Sequence, residues 1–188
     1  MKLPVSFGNR KLASTCMIYN MTSAAACPAD KLGMCPHSSV CYAKKAERLY
    51  PRVLPYRQRQ EDWWRSQQDP IAFVRALRKT TKYFRFSEAG DFRIQHDVTR
   101  MAVVCSMLVA NGITCYGYTA RYDLDFSTLI LFASVIVTGH DVPGCSRSDV
   151  IPKHATAEKG VWLCPGKDCL STCKVCTMRN KKIAFNQH

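Results

Sequence analysis

The sequence predicts an α/β domain that forms a partial or open (βα) barrel, with cysteine-rich segments at its N- and C-terminal ends. Two observations predict this fold: β-type runs alternate with helical patterns in the middle of the chain, and cysteines gather near both ends. Such alternation is typical of parallel βαβ units. The 188 residues, 47% of them hydrophobic, suffice for one buried core. We expect a single domain, with an irregular segment at 1–41, helices and βα units at 42–163, and a cysteine cluster with a basic tail at 164–188.

Capping residues and apolar spacing predict the helices. Pro51 ends the first one, because a residue that precedes proline is disfavoured in the α conformation. Asp69 and Pro70 supply the N-cap and the first residue of another. Gly112 lies where the long apolar helix needs its C-terminal cap. The predicted helices are residues 42–50, 57–68, 70–77, 98–109 and 125–132.

Four strands are predicted, at residues 83–86, 113–119, 134–138 and 161–163. In folds built from parallel strands, ligands bind at the carboxyl ends of the strands. The residues at those ends are therefore candidates for the functional site: Ser87, Glu88, Gly90, Asp91, Tyr118, Arg121, His140, Asp141 and Cys164.

Glu88, Asp91 and Arg121 are the candidate catalytic residues at these strand ends. Gly90 lies between the two carboxylates, and a glycine lets the backbone approach a ligand closely. The alternative role for Asp91 is to cap a helix.

The C-terminal cysteines form the strongest motif of the chain, Cys164-x4-Cys169-x3-Cys173-x2-Cys176. Four thiolates in one short segment suit either tetrahedral zinc or a [4Fe–4S] cluster. Zinc sites usually combine two C-x2-C pairs across a longer stretch, and this segment has one such pair. The series therefore favours a [4Fe–4S] cluster, with zinc as the alternative metal.

Three more cysteines, Cys27, Cys35 and Cys41, lie near the N-terminus. Three thiolates would leave one iron of a cluster open, unless Cys16 or His37 completes the set. Two alternatives are that these cysteines are ordinary buried thiols, or that both groups supply ligands to a single cluster.

The net charge of +13 is high for this length and attracts polyanions. It predicts nucleic acid or a phosphorylated small molecule as a partner; the alternative is a solvated basic surface. No apolar run approaches the roughly 20 residues of a membrane span, and no apolar stretch of a secretory signal follows the N-terminus. We therefore expect a cytoplasmic protein without a membrane partner, whose cysteines bind metal rather than form disulfides.

Four stretches of the chain share a pattern with a known family. They are Cys27-Pro28 through Cys35 to Cys41-Tyr42-Ala43-Lys44, then Gly90-Asp91-Phe92, Tyr118-Thr119, and the C-terminal cysteines followed by His188. Together they resemble the phage gene product 88 family over nearly the whole chain, and the C-Y-A-K element and the C-terminal cysteines are the most specific of them. This family is distantly similar to the radical S-adenosylmethionine enzymes, whose partial (βα) barrel holds a [4Fe–4S] cluster near its mouth.

The resemblance implies a role for each group of residues. Cys27, Cys35 and Cys41 would bind the radical-generating cluster, whose open iron binds the methionyl group of S-adenosylmethionine. The C-terminal cysteines would hold an auxiliary or a structural cluster. The N-terminal spacing departs from the usual C-x3-C-x2-C, because seven and five residues separate these cysteines. The residues expected to contact the cofactor are Ser87, Glu88, Gly90, Asp91 and Tyr118.

The predicted function is that of a phage iron–sulfur protein with radical-enzyme ancestry. It would act in the cytoplasm of an infected host cell, on a nucleotide or a nucleic-acid-related substrate. The competing function is that of a non-catalytic basic accessory protein, whose iron–sulfur or zinc site is structural and which binds nucleic acid or a host protein.

Overall fold

Eight strands form one open sheet in the structure, a computed structural model that describes residues 2–167 and 169–186. His188, part of the expected family pattern, lies outside the described residues. The strands are β1 (Ser6–Phe7), β2 (Cys16–Tyr19), β3 (Tyr83–Phe86), β4 (Thr114–Thr119), β5 (Ala133–Thr138), β6 (Ser146–Ile151), β7 (Trp162–Leu163) and β8 (Lys182–Asn186).

The strand order is β1-β2-β3-β4-β5-β6-β8-β7. Strand β1 is antiparallel to β2, and the other neighbouring pairs are parallel. The carboxyl ends of β2 to β8 therefore meet at one edge, which we call the carboxyl edge. The helices are α1 (Pro28–Lys31), α2 (Tyr42–Leu49), α3 (Val53–Arg65), α4 (Ile71–Arg75) and α5 (Gln95–Ala110), with 3-10 turns at Ser38–Val40, Leu129–Leu131 and Val175–Thr177.

Most of the predicted elements are present. The mixture of helices and parallel strands confirms the α/β class, and α2 and β3 confirm the helix predicted at 42–50 and the strand at 83–86. Strands β4 and β5 begin one residue from their predicted starts. Gly112 follows α5 with a φ of 76°, a left-handed conformation that suits a glycine at the end of a helix.

Two local predictions are wrong. Residues 1–41 contain β1, β2 and α1, although an irregular segment was expected. All four residues of β2 are buried, so its sequence lacks the alternation that marks a half-exposed strand. The helix predicted at 125–132 is only a 3-10 turn at Leu129–Leu131. Asp125 disfavours the predicted helix at its first turn. Its carboxylate accepts hydrogen bonds from Ser127 N (2.8 Å) and Ser127 Oγ (3.0 Å), and these bonds stabilise a turn there instead.

Other boundaries differ by a few residues. Helix α3 begins four residues before the predicted start and ends at Arg65, and α4 ends at Arg75. Asp69 is used as expected, since its Oδ1 accepts a hydrogen bond from Ile71 N at 2.9 Å. Strands β6 and β8 were not predicted. Arg147 and Asp149 interrupt the apolar pattern of β6, and β8 has only three apolar residues between Lys182 and Asn186.

One face of the sheet carries the main core, built around aromatic side chains. The rings of Tyr19 and Phe73 lie 4.9 Å apart, and those of Trp63 and Phe73 lie 5.5 Å apart, both in edge-to-face contact. Because Trp63 belongs to α3 and Phe73 to α4, these contacts fix both helices against β2.

The opposite face, which we call the concave face, carries a smaller apolar cluster of Leu12, Cys16, Ile18, Tyr116, Ile136 and Leu170. The rings of Tyr118 and Phe185 on this side lie 6.0 Å apart. Their strands, β4 and β8, are three positions apart in the sheet, or about 14 Å in a flat one. Since side chains stand nearly perpendicular to a sheet, this contact requires the sheet to curve toward the concave face.

No helix among the described residues is long and apolar enough to cross a membrane. The division of the chain into one domain with three segments stays a prediction.

Candidate metal centre

The buried carboxylate of Asp91 joins the ends of β3 and β4 at the carboxyl edge. Its Oδ1 accepts hydrogen bonds from Phe92 N (2.8 Å) and Thr119 Oγ1 (2.6 Å), and its Oδ2 accepts one from Ala120 N (2.7 Å). Burial raises the pKa of Asp91 to about 6, although these hydrogen bonds and Arg121 oppose the rise. Asp91 therefore fixes two strand ends, and both of its oxygens are used by the protein itself.

The loops that follow β2 and β3 interlock at the same edge. Thr22 Oγ1 accepts a hydrogen bond from Asp91 N at 2.9 Å, and Asn20 Oδ1 accepts one from Ala89 N at 2.8 Å. Gly90 has a φ of 67°, and a Cβ there would lie 2.1 Å from Thr22 Oγ1. Only glycine fits this close approach, which agrees with its predicted importance.

Arg121 is also fully engaged in contacts within the chain. Its Nε and one terminal nitrogen each lie 2.7 Å from the carboxylate of Asp123, and its other terminal nitrogen donates to the carbonyls of Phe92 and Arg93. This candidate catalytic residue therefore holds the chain between β3 and α5 in place.

A second network holds the loop that precedes Cys27. The carboxylate of Glu47 accepts hydrogen bonds from Ala24 N (2.7 Å) and Ala25 N (2.9 Å), and it is paired with Arg57 at 3.0 Å. The same guanidinium lies 3.9 Å from Glu88, the third candidate catalytic residue. Because Arg57 and Glu47 are both buried, this ion pair sets the position of the loop firmly.

The C-Y-A-K element contributes a separate contact at each position after its cysteine. Tyr42 donates a hydrogen bond to the carbonyl of Glu88. Ala43 packs with Ala24 and Ala89 in a cluster of small buried side chains next to Cys41. Lys44 Nζ lies 2.7 Å from Asp30 Oδ1 and 3.0 Å from Ser38 Oγ, on the two short helical turns between the cysteines. The element therefore braces the whole N-terminal cysteine loop.

Cys27, Cys35 and Cys41 form one group at the carboxyl edge. All three are free and partly buried. Burial raises the pKa of Cys27 to about 12, and the nearby Asp91 and Cys35 add to the rise. Burial also raises the pKa of Cys35, and Cys41 contributes to it. The backbone keeps the three cysteines close together, because Cys35 N donates to the carbonyl of Ala29 at 3.2 Å, Ser38 N to that of Cys35 at 3.4 Å, and Cys41 N to that of Ser38 at 3.4 Å.

The two residues considered as a fourth ligand are both engaged elsewhere. His37 Nε2 accepts a hydrogen bond from Val150 N at 3.2 Å, and burial lowers the pKa of this histidine. Cys16 is fully buried in the apolar cluster of the concave face. Neither side chain is free to complete the N-terminal group in this conformation.

The C-terminal cysteines form a second group, on the concave face. Tyr118 Oη donates a hydrogen bond to Cys176 Sγ at 2.9 Å. Cys169 N donates to the carbonyl of Lys11 at 3.2 Å, and Cys164 N donates to Ala184 at 2.8 Å. The segment thus runs from the strands at one end of the sheet to the chain just before β2.

The donor chemistry of both groups suits a thiolate-bound metal, because all seven cysteines are free and none is enclosed completely. Among the residues that the structure describes, no three Cys, His, Asp or Glu side chains converge closely enough to hold a metal ion. Metal binding would therefore have to draw the sulfur atoms of a group together.

The family model for gene product 88 matches residues 3–138 of the chain, which is well over half of it. The chain belongs to the gene product 88 family. The search of curated proteins and the search of solved structures found no match. The match contains the N-terminal cysteines and Asp91, and it ends before the C-terminal cysteines, so it covers less of the chain than the resemblance suggested.

Sequence reasoning missed three charged residues that shape the site in this gene product 88 protein. Glu47 and Arg57 lie on helices that looked merely polar and solvated. Arg85 lies in β3, where a lone charge inside an otherwise aromatic strand was the available signal. Among the described residues, Arg85 Nε and Ser87 Oγ are shielded from solvent and have no hydrogen-bond partner. Ser87 also has a φ of 52°, which is strained for a residue with a side chain.

The substitution Asp91→Asn is expected to remove a pH dependence of stability. The pKa of Asp91 is about 6 in the folded protein and about 3.9 in an unfolded chain, so the folded state keeps a proton that the unfolded state has released. The stabilisation is complete below pH ~4 and is lost as the pH rises through ~6. The free energy of unfolding of the wild type should fall by up to about 3 kcal/mol across this range relative to the variant.

Urea denaturation of both proteins between pH ~4 and ~7 measures this difference. Asp125→Asn is the control, because Asp125 is exposed and its pKa is lowered. A difference between wild type and Asp91→Asn that stays constant with pH would contradict the prediction.

Proposed function

We propose that this protein binds an iron–sulfur cluster through Cys27, Cys35 and Cys41, and that it is a radical S-adenosylmethionine enzyme or a descendant of one. The observation that carries the proposal is the position of the cysteine loop. It follows β2, the first parallel strand, and is held at the carboxyl edge by the Arg57–Glu47 pair. That edge is where folds with parallel strands bind their ligands.

The shape of the sheet agrees with this proposal. Strands β2 to β6 follow one another in sequence and in space, all parallel, and the sheet curves toward the concave face. We propose that this arrangement is a partial (βα) barrel. A cluster bound at its edge would supply the electron that cleaves S-adenosylmethionine.

The residues around the loop have distinct roles in this proposal. Ser87 presents a buried, unpartnered hydroxyl beside the strand end, which is available to a bound cofactor. Asp91 and Gly90 keep the loops of β2 and β3 locked together. Glu88 lies 3.9 Å from Arg57 and accepts a hydrogen bond from Asn9 Nδ2, so it connects the proposed cofactor position to the Arg57–Glu47 pair.

Metal analysis of cysteine variants tests the first part of the proposal. Protein purified without oxygen should contain iron and sulfide in equal amounts and absorb visible light. Cys41→Ser should lose the N-terminal cluster because it removes one of three ligands, and Cys173→Ser should lose only iron held by the C-terminal group. A loss of about half the iron in each variant indicates two clusters, and total loss in both indicates one shared cluster.

Cys145→Ser is the matched control, since Cys145 is free and partly buried but belongs to neither group. Colourless wild-type protein that contains zinc in place of iron would contradict the proposal.

Product analysis tests the enzymatic part. Wild-type protein given S-adenosylmethionine and a strong reductant should release 5′-deoxyadenosine, and Cys41→Ser should not, because the open iron would be lost. Liquid chromatography with mass detection measures the product. Wild-type protein that holds a full complement of iron yet releases no 5′-deoxyadenosine would leave a structural or binding role.

A second candidate function, nucleic-acid binding, is favoured by the charge of residues 42–82. Nine lysines and arginines are exposed in this stretch, against two exposed aspartates. Glu47 is paired with the buried Arg57, which is not one of the nine, whereas Glu61 is paired with Arg65 and offsets that one charge. The exposed cations are Lys45, Arg48, Arg52, Arg59, Arg65, Arg75, Arg78, Lys79 and Lys82.

Binding of a fluorescent oligonucleotide at several salt concentrations tests this function. The affinity of the wild type should fall steeply with salt, as counterions are released from phosphates. Arg48→Gln combined with Arg52→Gln should reduce the slope of log affinity against log salt by about 1.5. The control is Lys153→Gln with Lys159→Gln, which removes the same charge elsewhere. Equal slopes in the two double variants would contradict a specific role for residues 42–82.

A further inference from the structure

Arg85 places a fixed positive charge on the concave face of the sheet. In the register of the strands it lies between Ile18 of β2 and Tyr116 of β4. Both of these neighbours belong to the apolar cluster against which Cys169 and Cys176 pack. The guanidinium is therefore close to the C-terminal thiols. Glu88 is the carboxylate near it, and Lys11 is a second cation near Cys164 and Cys169.

Arg85 is half-buried, and its shielded Nε lacks a partner in the described part of the chain. One terminal nitrogen donates to Tyr42 Oη at 3.3 Å, and the guanidinium carbon lies 5.1 Å from the centre of the Tyr118 ring. Its Nε has no acceptor among the described residues and no contact with solvent. A buried donor without a partner costs free energy, so such a group is expected to meet an anion when the site is filled.

Tyr118 connects this cation to the sulfur atoms. Its ring lies beside Arg85, and its hydroxyl donates a hydrogen bond to Cys176 Sγ at 2.9 Å. A hydroxyl that donates to sulfur and a cation beside its ring both favour negative charge on Cys176.

We propose that Arg85 is the counter-charge of an anionic metal–thiolate centre held by the C-terminal cysteines, and that Tyr118 donates a hydrogen bond to that centre. Either zinc or a [4Fe–4S] cluster with four thiolates carries about two negative charges. Such a charge is costly in an apolar cluster unless a cation accompanies it. This inference rests on the proposal that the cysteines bind metal, and it adds the positioning residues that would determine the properties of the second group.

Cobalt titration of the full chain measures the effect. Cys41→Ser serves as the parent, so that the intact C-terminal group dominates the thiolate-to-cobalt absorption. Arg85→Met in this parent should bind Co²⁺ about 10- to 100-fold more weakly, the usual effect of removing a residue that supports metal ligands. Arg85→Lys should recover most of the affinity because it restores the charge. Arg75→Met is the control, since it removes an exposed charge of the same type.

Reconstitution with iron and sulfide gives a readout that a merely structural role would not change. Loss of the cation should lower the reduction potential of the cluster, because the reduced state carries more negative charge. Tyr118→Phe, which removes only the hydroxyl, should lower it in the same direction. The Tyr118→Phe variant also keeps the proposal testable if the Arg85→Met variant does not fold.

Different outcomes would overturn the role of Arg85 and Tyr118 and the existence of the C-terminal metal centre. Unchanged cobalt affinity and unchanged potential in the Arg85 and Tyr118 variants would overturn the role of these residues while leaving the metal centre intact. A parent chain that binds no cobalt and assembles no cluster would overturn the C-terminal metal centre itself, and this inference with it.

Discussion

The hydrogen bonds accepted by the Asp91 carboxylate are the interaction on which the carboxyl edge depends. A buried carboxylate is tolerated only when its oxygens are satisfied, and here donors at the ends of β3 and β4 satisfy both of them. The backbone amide of the same residue donates to Thr22, which adds the loop that follows β2. Three strand ends are thereby held in one geometry. The cysteine loop and the strained Ser87 extend from this frame, so their positions follow from it.

Two arginines, the buried Arg57 and the half-buried Arg85, lie on opposite sides of that frame. Arg57 approaches from the helical layer and, with Glu47, fixes the backbone before Cys27. Arg85 lies on the concave face, beside the C-terminal thiols. Tyr42 joins the two sides, since it accepts a hydrogen bond from Arg85 and donates one to the carbonyl of Glu88, next to Arg57. These contacts connect Arg85 with the Arg57–Glu47 pair and, through it, with the backbone before Cys27.

The features that depend on residues close together in the chain could be predicted from the sequence. Strand β3 and its turn, the importance of Gly90, and the two cysteine groups are visible in spacing alone. Strand β2 was missed because a fully buried strand has no alternation, and the roles of Glu47 and Arg85 were missed because their partners are distant in the chain. Ala24 is 23 residues from Glu47, and the thiols beside Arg85 come from the other end of the sequence. No helical or strand period records which side chains meet across such separations.

The C-terminal cysteine segment covers part of the concave face, which limits the directions from which a substrate can reach the carboxyl edge. Leu170, Cys169 and Cys176 pack with Leu12 on the concave face, so side chains occupy the space that the interior of a partial barrel would offer to a substrate. A surface cavity of about 480 Å³ lies on the helical side of the sheet instead, between α3 and residues 23–26. If the N-terminal cysteines hold the proposed cluster, its substrate would have to approach along the carboxyl edge from outside while the segment is in place. The exposed cations of residues 42–82 would attract a polyanion to the helical layer during such an approach.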